Sequence, residues 1–296
     1  MKGKYLASGL LVLLLLQCTI AASARADYIL PGDVHLKTEE YRPPKLNFQR
    51  GTYLYEVSWE GISVADAEVQ VGEEALSAGE FLKVRASAKT GGFIDIFYRL
   101  RHTSESIFEE QSFKPYRFMS YQIENKKERL QEVDFDRDGI IRAQAIKGGK
   151  EESPVQFRSE NLTLDPISAA FIARSLPINI GKEVSFDVFN GKHRYLISFL
   201  VEAREKVNVG GKKYDAFRVS PSVQKLTDSE GEKRLHSCTL WISADEKRDV
   251  LKLESKVLVG SVSAKLVKFT PSLPGVPDQT LPDMPRIPIK VAHLKN

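Results

Sequence analysis

The residue types most able to do chemistry are scattered along this chain rather than gathered. None of its five histidines, His35, His102, His193, His236 and His293, lies within four residues of another. No zinc pair of local spacing therefore exists, and only a site assembled across strands stays open. Asp134-Phe135-Asp136-Arg137-Asp138-Gly139 opens like a helix-flanked calcium loop. That loop needs a bidentate Glu at its twelfth position, where Ala145 stands. Strand-like flanks favour a hairpin instead, with Asp138-Gly139 supplying the turn. Asp245 and Arg248, just after Trp241, have the spacing of an ion pair in a tight turn. Cys238 alternates with His236 and Leu240 along an apparent strand, which is the pattern of a small buried residue rather than a nucleophile. No Gly-x-Ser-x-Gly elbow, phosphate loop or His-Glu-x-x-His occurs. Catalytic residue, metal ligand and cofactor are all assigned as none.

The aromatic residues make a better candidate set. Tyr53, Tyr55 and Trp59 share one face of a strand, and Trp241 lies in another. With Phe171 on a helix they form a ligand-binding set for an apolar or glycan ligand, or else part of an ordinary aromatic core. The helix is the chain's one convincing example, Asp165-Pro166-Ile167-Ser168-Ala169-Ala170-Phe171-Ile172-Ala173-Arg174-Ser175-Leu176-Pro177. Asp165 can cap the first turn, and Pro166 suits the first helical position, where its missing N–H costs nothing. Ile167, Ala170, Phe171 and Arg174 follow helical spacing, Ile172 and Leu176 widen the apolar side, and Pro177 ends it. So short and apolar a helix needs a sheet to bury itself against.

Almost everything else reads as strands. Tyr53, Tyr55, Val57 and Trp59 alternate, Glu60-Gly61 turns the chain, and Ala65, Ala67, Val69 and Val71 alternate again. Leu82, Val84, Ala86 and Ala88 continue the pattern, while residues 93–107 fit both a strand and a helical stripe. Residues 150–164 are polar and loop-like. About a dozen strands at short, regular spacing predict an all-β, mainly antiparallel fold. The architecture expected is an open or flattened β-barrel or half-barrel with one short central helix packed on it. The domain spans 51–270, after an extended lead-in over 27–50. Six of the 14 prolines fall between Pro271 and Pro288, so residues 271–296 read as an extended tail.

The first 26 residues have the form of a signal peptide. Lys2 and Lys4 precede an apolar run from Leu6 to Leu16, and Ala24-Arg25-Ala26 offers a cleavage site before Asp27. Leu15-Leu16-Gln17-Cys18 is a second reading, with Cys18 lipidated, although Gln17 suits that processing poorly. The localisation expected is the periplasm, with outer-membrane association as a variant. Removing Lys2, Lys4 and Arg25 from 43 basic residues leaves 40 against 39 acidic ones. So balanced a chain has no global field for nucleic acid or anionic lipid. No apolar run after the signal could span a membrane. Cys238 would be the one cysteine left, so no internal disulfide is expected.

Several of these stretches resemble a bacterial envelope family, domain of unknown function 3108 (DUF3108). They are Tyr53-Leu54-Tyr55-Glu56-Val57-Ser58-Trp59 with Gly61, Phe113-Lys114-Pro115-Tyr116-Arg117-Phe118 and Val133-Asp134-Phe135-Asp136. Asp165-Pro166-Ile167-Ser168-Ala169 also matches, as does Leu240-Trp241-Ile242-Ser243-Ala244-Asp245 with Arg248 and Gly260. The resemblance implies a β-rich periplasmic or outer-membrane-associated domain and brings no catalytic residue. The function expected is that of an exported, non-catalytic envelope protein binding a lipid or other amphiphile between sheet and helix. One alternative is an envelope structural or assembly factor acting through sheet edges and the proline tail. The other is an enzyme on envelope glycans, which would need two carboxylates facing each other across a cleft.

Overall fold

The computed structural model describes residues 48–76, 79–175, 178–226, 238–257, 260–272 and 284. The expected signal peptide, Cys18, residues 27–47 of the lead-in and most of the proline-rich tail lie outside them. Met284, the one described residue of the tail beyond 272, is buried, so the chain returns to the domain there.

One antiparallel meander occupies the first half: β1 (Gly51–Trp59), β2 (Ile62–Leu76), β3 (Gly79–Thr90), β4 (Leu100–Glu109), β5 (Pro115–Glu124), β6 (Lys127–Phe135) and β7 (Ile140–Lys147). A single helical turn, α1 (Ile94–Phe97), separates β3 from β4 and resolves the ambiguous stretch into both of its readings. Three short strands follow, β8 (Lys150–Glu151), β9 (Val155–Arg158) and β10 (Thr163–Leu164), and then the helix α2 (Pro166–Ser175). A second meander contains β11 (Glu183–Phe189), β12 (Arg194–Val209), β13 (Lys212–Lys225), β14 (Cys238–Ser243), β15 (Val250–Lys256) and β16 (Ser261–Pro271).

All sixteen strands join one open sheet, which runs from β10 to β16 and then from β1 to β8, with β9 beside β7. The antiparallel fold class is as expected; the strand count exceeds the dozen. The excess is β8, β9 and β10, found where the polar stretch reads as loop. Strands of two to four residues are too short to show alternation. β1 and β16 pair over their whole length, so the two meanders meet in mid-sheet.

The sheet rolls until its ends approach each other. Phe157 of β9 packs edge-on against Phe189 of β11, with centroids 5.0 Å apart. Arg194 crosses the same gap: its Nε donates to Asp187 Oδ1 at 2.7 Å, its Nη2 to Ser159 Oγ at 2.9 Å, and its guanidinium lies 5.4 Å from the Phe157 ring. Thr163 Oγ1 donates to Asp187 Oδ2 at 2.8 Å and can accept from the Ser159 hydroxyl, 2.7 Å away. Side chains, not a ladder, therefore bridge β9 to β10 and β11. Gly139, in the β6–β7 turn at φ 77°, lets this crossover pass: a Cβ there would stand 2.5 Å from Ser159 O. That turn is the expected hairpin, and Arg142 reaches Asp136 Oδ2 at 3.3 Å beside it.

α2 fills the concave side. Its Ile167, Ala169, Phe171 and Ile172 share one core with Val84, Phe108, Phe118 and Val133 from one half and Val188, Phe199 and Val219 from the other. Asp165 caps it as expected, Oδ1 accepting from the Ile167 and Ser168 N–H groups at 2.8 and 3.1 Å. Its other oxygen accepts from Ser106 Oγ of β4 at 2.7 Å, which pins the helix start to the sheet interior. Burial pushes this carboxyl's pKa up while the donors pull it down; burial prevails. Asp165→Ala orphans both N–H groups and the Ser106 hydroxyl in a dry site. A loss of about 2–3 kcal/mol is expected, read from the urea midpoint.

Away from α2 the interior face changes character. Beyond the row Val84, Ser106, Phe118, Val133 and Ala143 comes Ala86, Ser104, Ser120, Gln131 and Ala145. His102, 3% exposed, follows, with Nε2 at 2.7 Å from Ser104 Oγ and 3.3 Å from Ser120 Oγ. The β11–β12 turn enters against this patch. Gly191 sits at φ 93°, where a side chain would be strained, and a Cβ there would also stand 3.0 Å from Gln131 Nε2 and 3.1 Å from Val133 Cγ2, so glycine suits this deep-seated turn.

Candidate functional site

Between α2 and the wall of β1, β2 and β3 the packing is incomplete. Tyr53 and Tyr55 of β1, Val69 of β2, Val84 and Ala86 of β3, and Ile167, Ala170 and Phe171 of α2 surround a cavity of about 30 Å³. Val250 at the start of β15 and Arg174 complete the lining, and Arg174 is its one charged member among the described residues. Ala86 of the sheet and Ala170 of the helix are the smallest side chains in this lining.

The polar groups around the cavity are turned to internal work. Tyr53 OH donates to Asp249 Oδ1 at 3.0 Å, and Tyr55 OH donates to Val250 O at 3.0 Å. Arg174 Nε donates to Arg248 O at 2.7 Å, and Nη2 to Lys247 O at 3.2 Å and Asp249 Oδ1 at 3.5 Å. Its guanidinium lies between the Phe48 and Phe171 rings, 5.0 and 5.1 Å from their centroids. Arg174 thus fastens the last turn of α2 to the β14–β15 turn. Burial, with the Asp249 charge beside it, pushes the Tyr53 pKa well above the usual phenol range. Burial does the same to Tyr55, and it raises the Asp249 carboxyl. Both phenols therefore stay neutral, and the Asp249 carboxylate that accepts from Tyr53 is held by Arg174 as well.

The structure brings Tyr53, Tyr55 and Phe171 to this one cavity and leaves both tryptophans elsewhere. Trp59 lies four residues further along β1 than Tyr55, about 13 Å at strand rise, and packs with Val57, Val64 and Val262. Trp241 faces the opposite side of its strand, because Leu240 and Ile242 take the interior positions. Its Nε1 donates to Glu205 Oε1 at 2.8 Å, and Lys252 Nζ stands 4.6 Å from its ring. Asp245 and Arg248 do close a tight turn, the Arg248 N–H donating to Asp245 O at 3.3 Å, but their side chains form no ion pair. Asp245 accepts from Ser243 Oγ at 2.6 Å, while Arg248 lies over the Phe217 ring at 5.1 Å. Cys238 is buried in the main core, and burial raises its thiol to about 12.

Arg174, Asp249 and Phe48 are the site residues that sequence reasoning passes over. A cation at the seventh position of an apolar helical stripe signals Arg174. Phe48 sits in a stretch without periodicity, yet it is 3% exposed beneath α2.

A family model described as protein of unknown function (DUF3108) matches residues 54–267. The chain belongs to the DUF3108 family. The DUF3108 match takes in Tyr55, Phe171, Arg174 and Asp249, and leaves Tyr53 just outside it. Comparison with curated proteins returned no match. Among solved structures, the DUF3108 chain is similar to a β-barrel-like protein of domain of unknown function DUF1849 from Brucella abortus. The two share 13% identity at a TM-score of 0.52, over 77% of this chain and 99% of that one. A candidate lipoprotein from Parabacteroides distasonis aligns at 11% identity and a TM-score of 0.32, over 76% of this chain and 98% of that one. At such identity the first likeness concerns the fold alone.

Proposed function

We propose that this DUF3108 chain is a non-catalytic protein of the cell envelope, exported by its N-terminal signal, that takes an apolar or amphiphilic chain beside α2. One observation carries the reading: the apolar cavity between Ala170 on the helix and Ala86 on the sheet. At about 30 Å³ it has room for about two water molecules, whereas ligand pockets run to several hundred Å³. The form described is therefore the closed one, and uptake requires α2 to shift outward. Arg174 is the latch in this reading, since its hydrogen bonds go to the β14–β15 turn rather than into the space.

The test is solvent extraction and mass spectrometry of the protein purified from its own envelope, together with uptake of the apolar dye N-phenylnaphthylamine. Ala170→Leu fills the cavity and should lower dye uptake at least about threefold while leaving the circular dichroism unchanged. A wild-type protein that carries no lipid and takes up no dye would sink the proposal.

A further inference from the structure

We propose that the end of the sheet holding the β1–β2 and β3–β4 connections docks on an anionic lipid surface. This goes beyond the cavity reading, uses none of its residues, and stands or falls separately. Four large apolar side chains face water there: Ile62 at 52% exposure, Phe93 at 55%, Ile96 at 79% and Phe97 at 77%. The Gly91 N–H donates to Val64 O at 3.2 Å, so the β3–β4 tip lies against the start of β2, two residues from Ile62. A gathering of large apolar groups on a water-facing tip marks an interaction surface, whereas single ones need no explanation.

The tip is built to hold these side chains outward. Ile94 packs on Tyr98 and Leu100, and the Tyr98 N–H donates to Ile94 O at 2.8 Å. Asp95 is clamped by Thr90 Oγ1 at 2.5 Å and by Arg101 Nη1 at 3.1 Å. With Ile94, Asp95 and Tyr98 fastened inward, helical spacing leaves Phe93, Ile96 and Phe97 only the outer side of the turn. They are displayed by a rigid base, not shed by a loose loop.

Charge identifies the occupant. Lys89, Arg99, Lys126, Lys127, Lys147 and Lys150 are exposed at this same end. Arg99 and Asn125 exchange hydrogen bonds of 2.7 and 3.0 Å, joining the tip to the β5–β6 turn. The Gly148 N–H donates to Glu128 O at 2.9 Å and brings in the β7–β8 turn. Of the acids here Asp95 is paired with a cation, Arg101, whereas Glu124 accepts from Tyr98 OH at 3.3 Å and Glu128 from Tyr121 OH at 2.7 Å, and both keep their charge. Glu60, Asp66 and Glu151 are also exposed at this end, as is Lys256, so seven cations stand against five carboxylates outside the Asp95–Arg101 pair, a modest basic excess. Aromatic and branched side chains ringed by lysine suit the headgroup–acyl boundary, where rings enter the boundary and cations meet phosphate.

The experiment is vesicle flotation of the protein purified after export from its own host. Vesicles of phosphatidylethanolamine with phosphatidylglycerol are compared with phosphatidylcholine alone. The wild type should float with the anionic vesicles. The triple variant Phe93→Ser, Ile96→Ser, Phe97→Ser should bind at least about tenfold less with an unchanged thermal midpoint, since all three side chains are exposed. Lys126→Glu with Lys127→Glu should erase the preference for anionic lipid. A Phe97→Trp variant should show blue-shifted emission on anionic vesicles and quenching by brominated lipid, whatever the N-terminus contributes to anchoring. Emission that ignores vesicles overturns the proposal. So does a triple variant that loses self-association but floats as the wild type does, which would assign the tip to a second copy.

Discussion

An Asp187→Ala chain should be about 3–5 kcal/mol less stable than the wild type, the largest loss expected from any single polar substitution at the seam. Asp187 and Arg194 are 2% and 5% exposed, and the pair sits where the two ends of the rolled sheet approach each other. Removing the carboxylate leaves a guanidinium buried over the Phe157 ring and frees the Thr163 hydroxyl as well. Ser159 Oγ cannot neutralise a charge. The loss should appear as a lower urea midpoint at unchanged slope. Asp187→Leu combined with Arg194→Met removes both charges and should recover half of that loss or more, because the cost lies in the unpaired ion. A single variant that loses less than about 1 kcal/mol would mean that the guanidinium has found water and the seam is open.

The second large effect is acid lability from His102. Burial pushes its imidazole down to about 3, with the Ser104 and Ser120 hydroxyls as its close polar company. Above about pH 6.5 the ring is neutral in folded and unfolded chains alike, and it contributes no pH dependence. Below that, the unfolded chain takes a proton that the folded one refuses. Stability then falls by about 1.4 kcal/mol per pH unit until the folded value is reached. The loss at pH 4.5 is about 3 kcal/mol from this residue alone. His102→Gln keeps a side chain able to bond Ser104 and has no proton to gain. Between pH 7 and pH 4.5 its unfolding free energy, from urea titration, should fall by about 3 kcal/mol less than that of the wild type. Parallel falls would clear His102 and shift the blame to the carboxylates.

The parts of this fold that can be read in the chain are those governed by local rules. Leu82, Val84, Ala86 and Ala88 alternate because one face of β3 is interior, and Asp165-Pro166 opens a helix because both residues suit its first turn. Glu60-Gly61 and Asp138-Gly139 mark hairpins because their backbones must enter the left-handed region, as Glu60 at φ 48° and Gly139 at φ 77° do. The family resemblance, carried by these same strand and turn signatures, is met by the match over 54–267. Whatever depends on which strands become neighbours is not legible. Trp59 and Tyr55 share alternation, yet α2 reaches only the Tyr55 end of the strand. Trp241 looks like a groove residue until its neighbours Leu240 and Ile242 claim the inside. Asp249 carries no local signal, because its partners Tyr53 and Arg174 are 196 and 75 residues away. Asp187 and Arg194 are seven residues apart, and only the crossing of Ser159 and Phe157 turns their hairpin contact into a seam.

The pairing of β1 with β16 also governs the order in which the molecule can be made. Each meander can zip from its own hairpins, whose partners lie close in sequence. β1, however, has β2 on one side and must wait on the other for a strand that begins 202 residues after Trp59, at Ser261. A chain threaded out N-terminus first therefore cannot complete its sheet until nearly all of it has emerged. Until then one rim of β1, with unpaired amides from Gly51 to Trp59, remains available to any passing strand. Folding begins locally but is sealed late, and a chain of this topology stays threadable for as long as its last strand is missing.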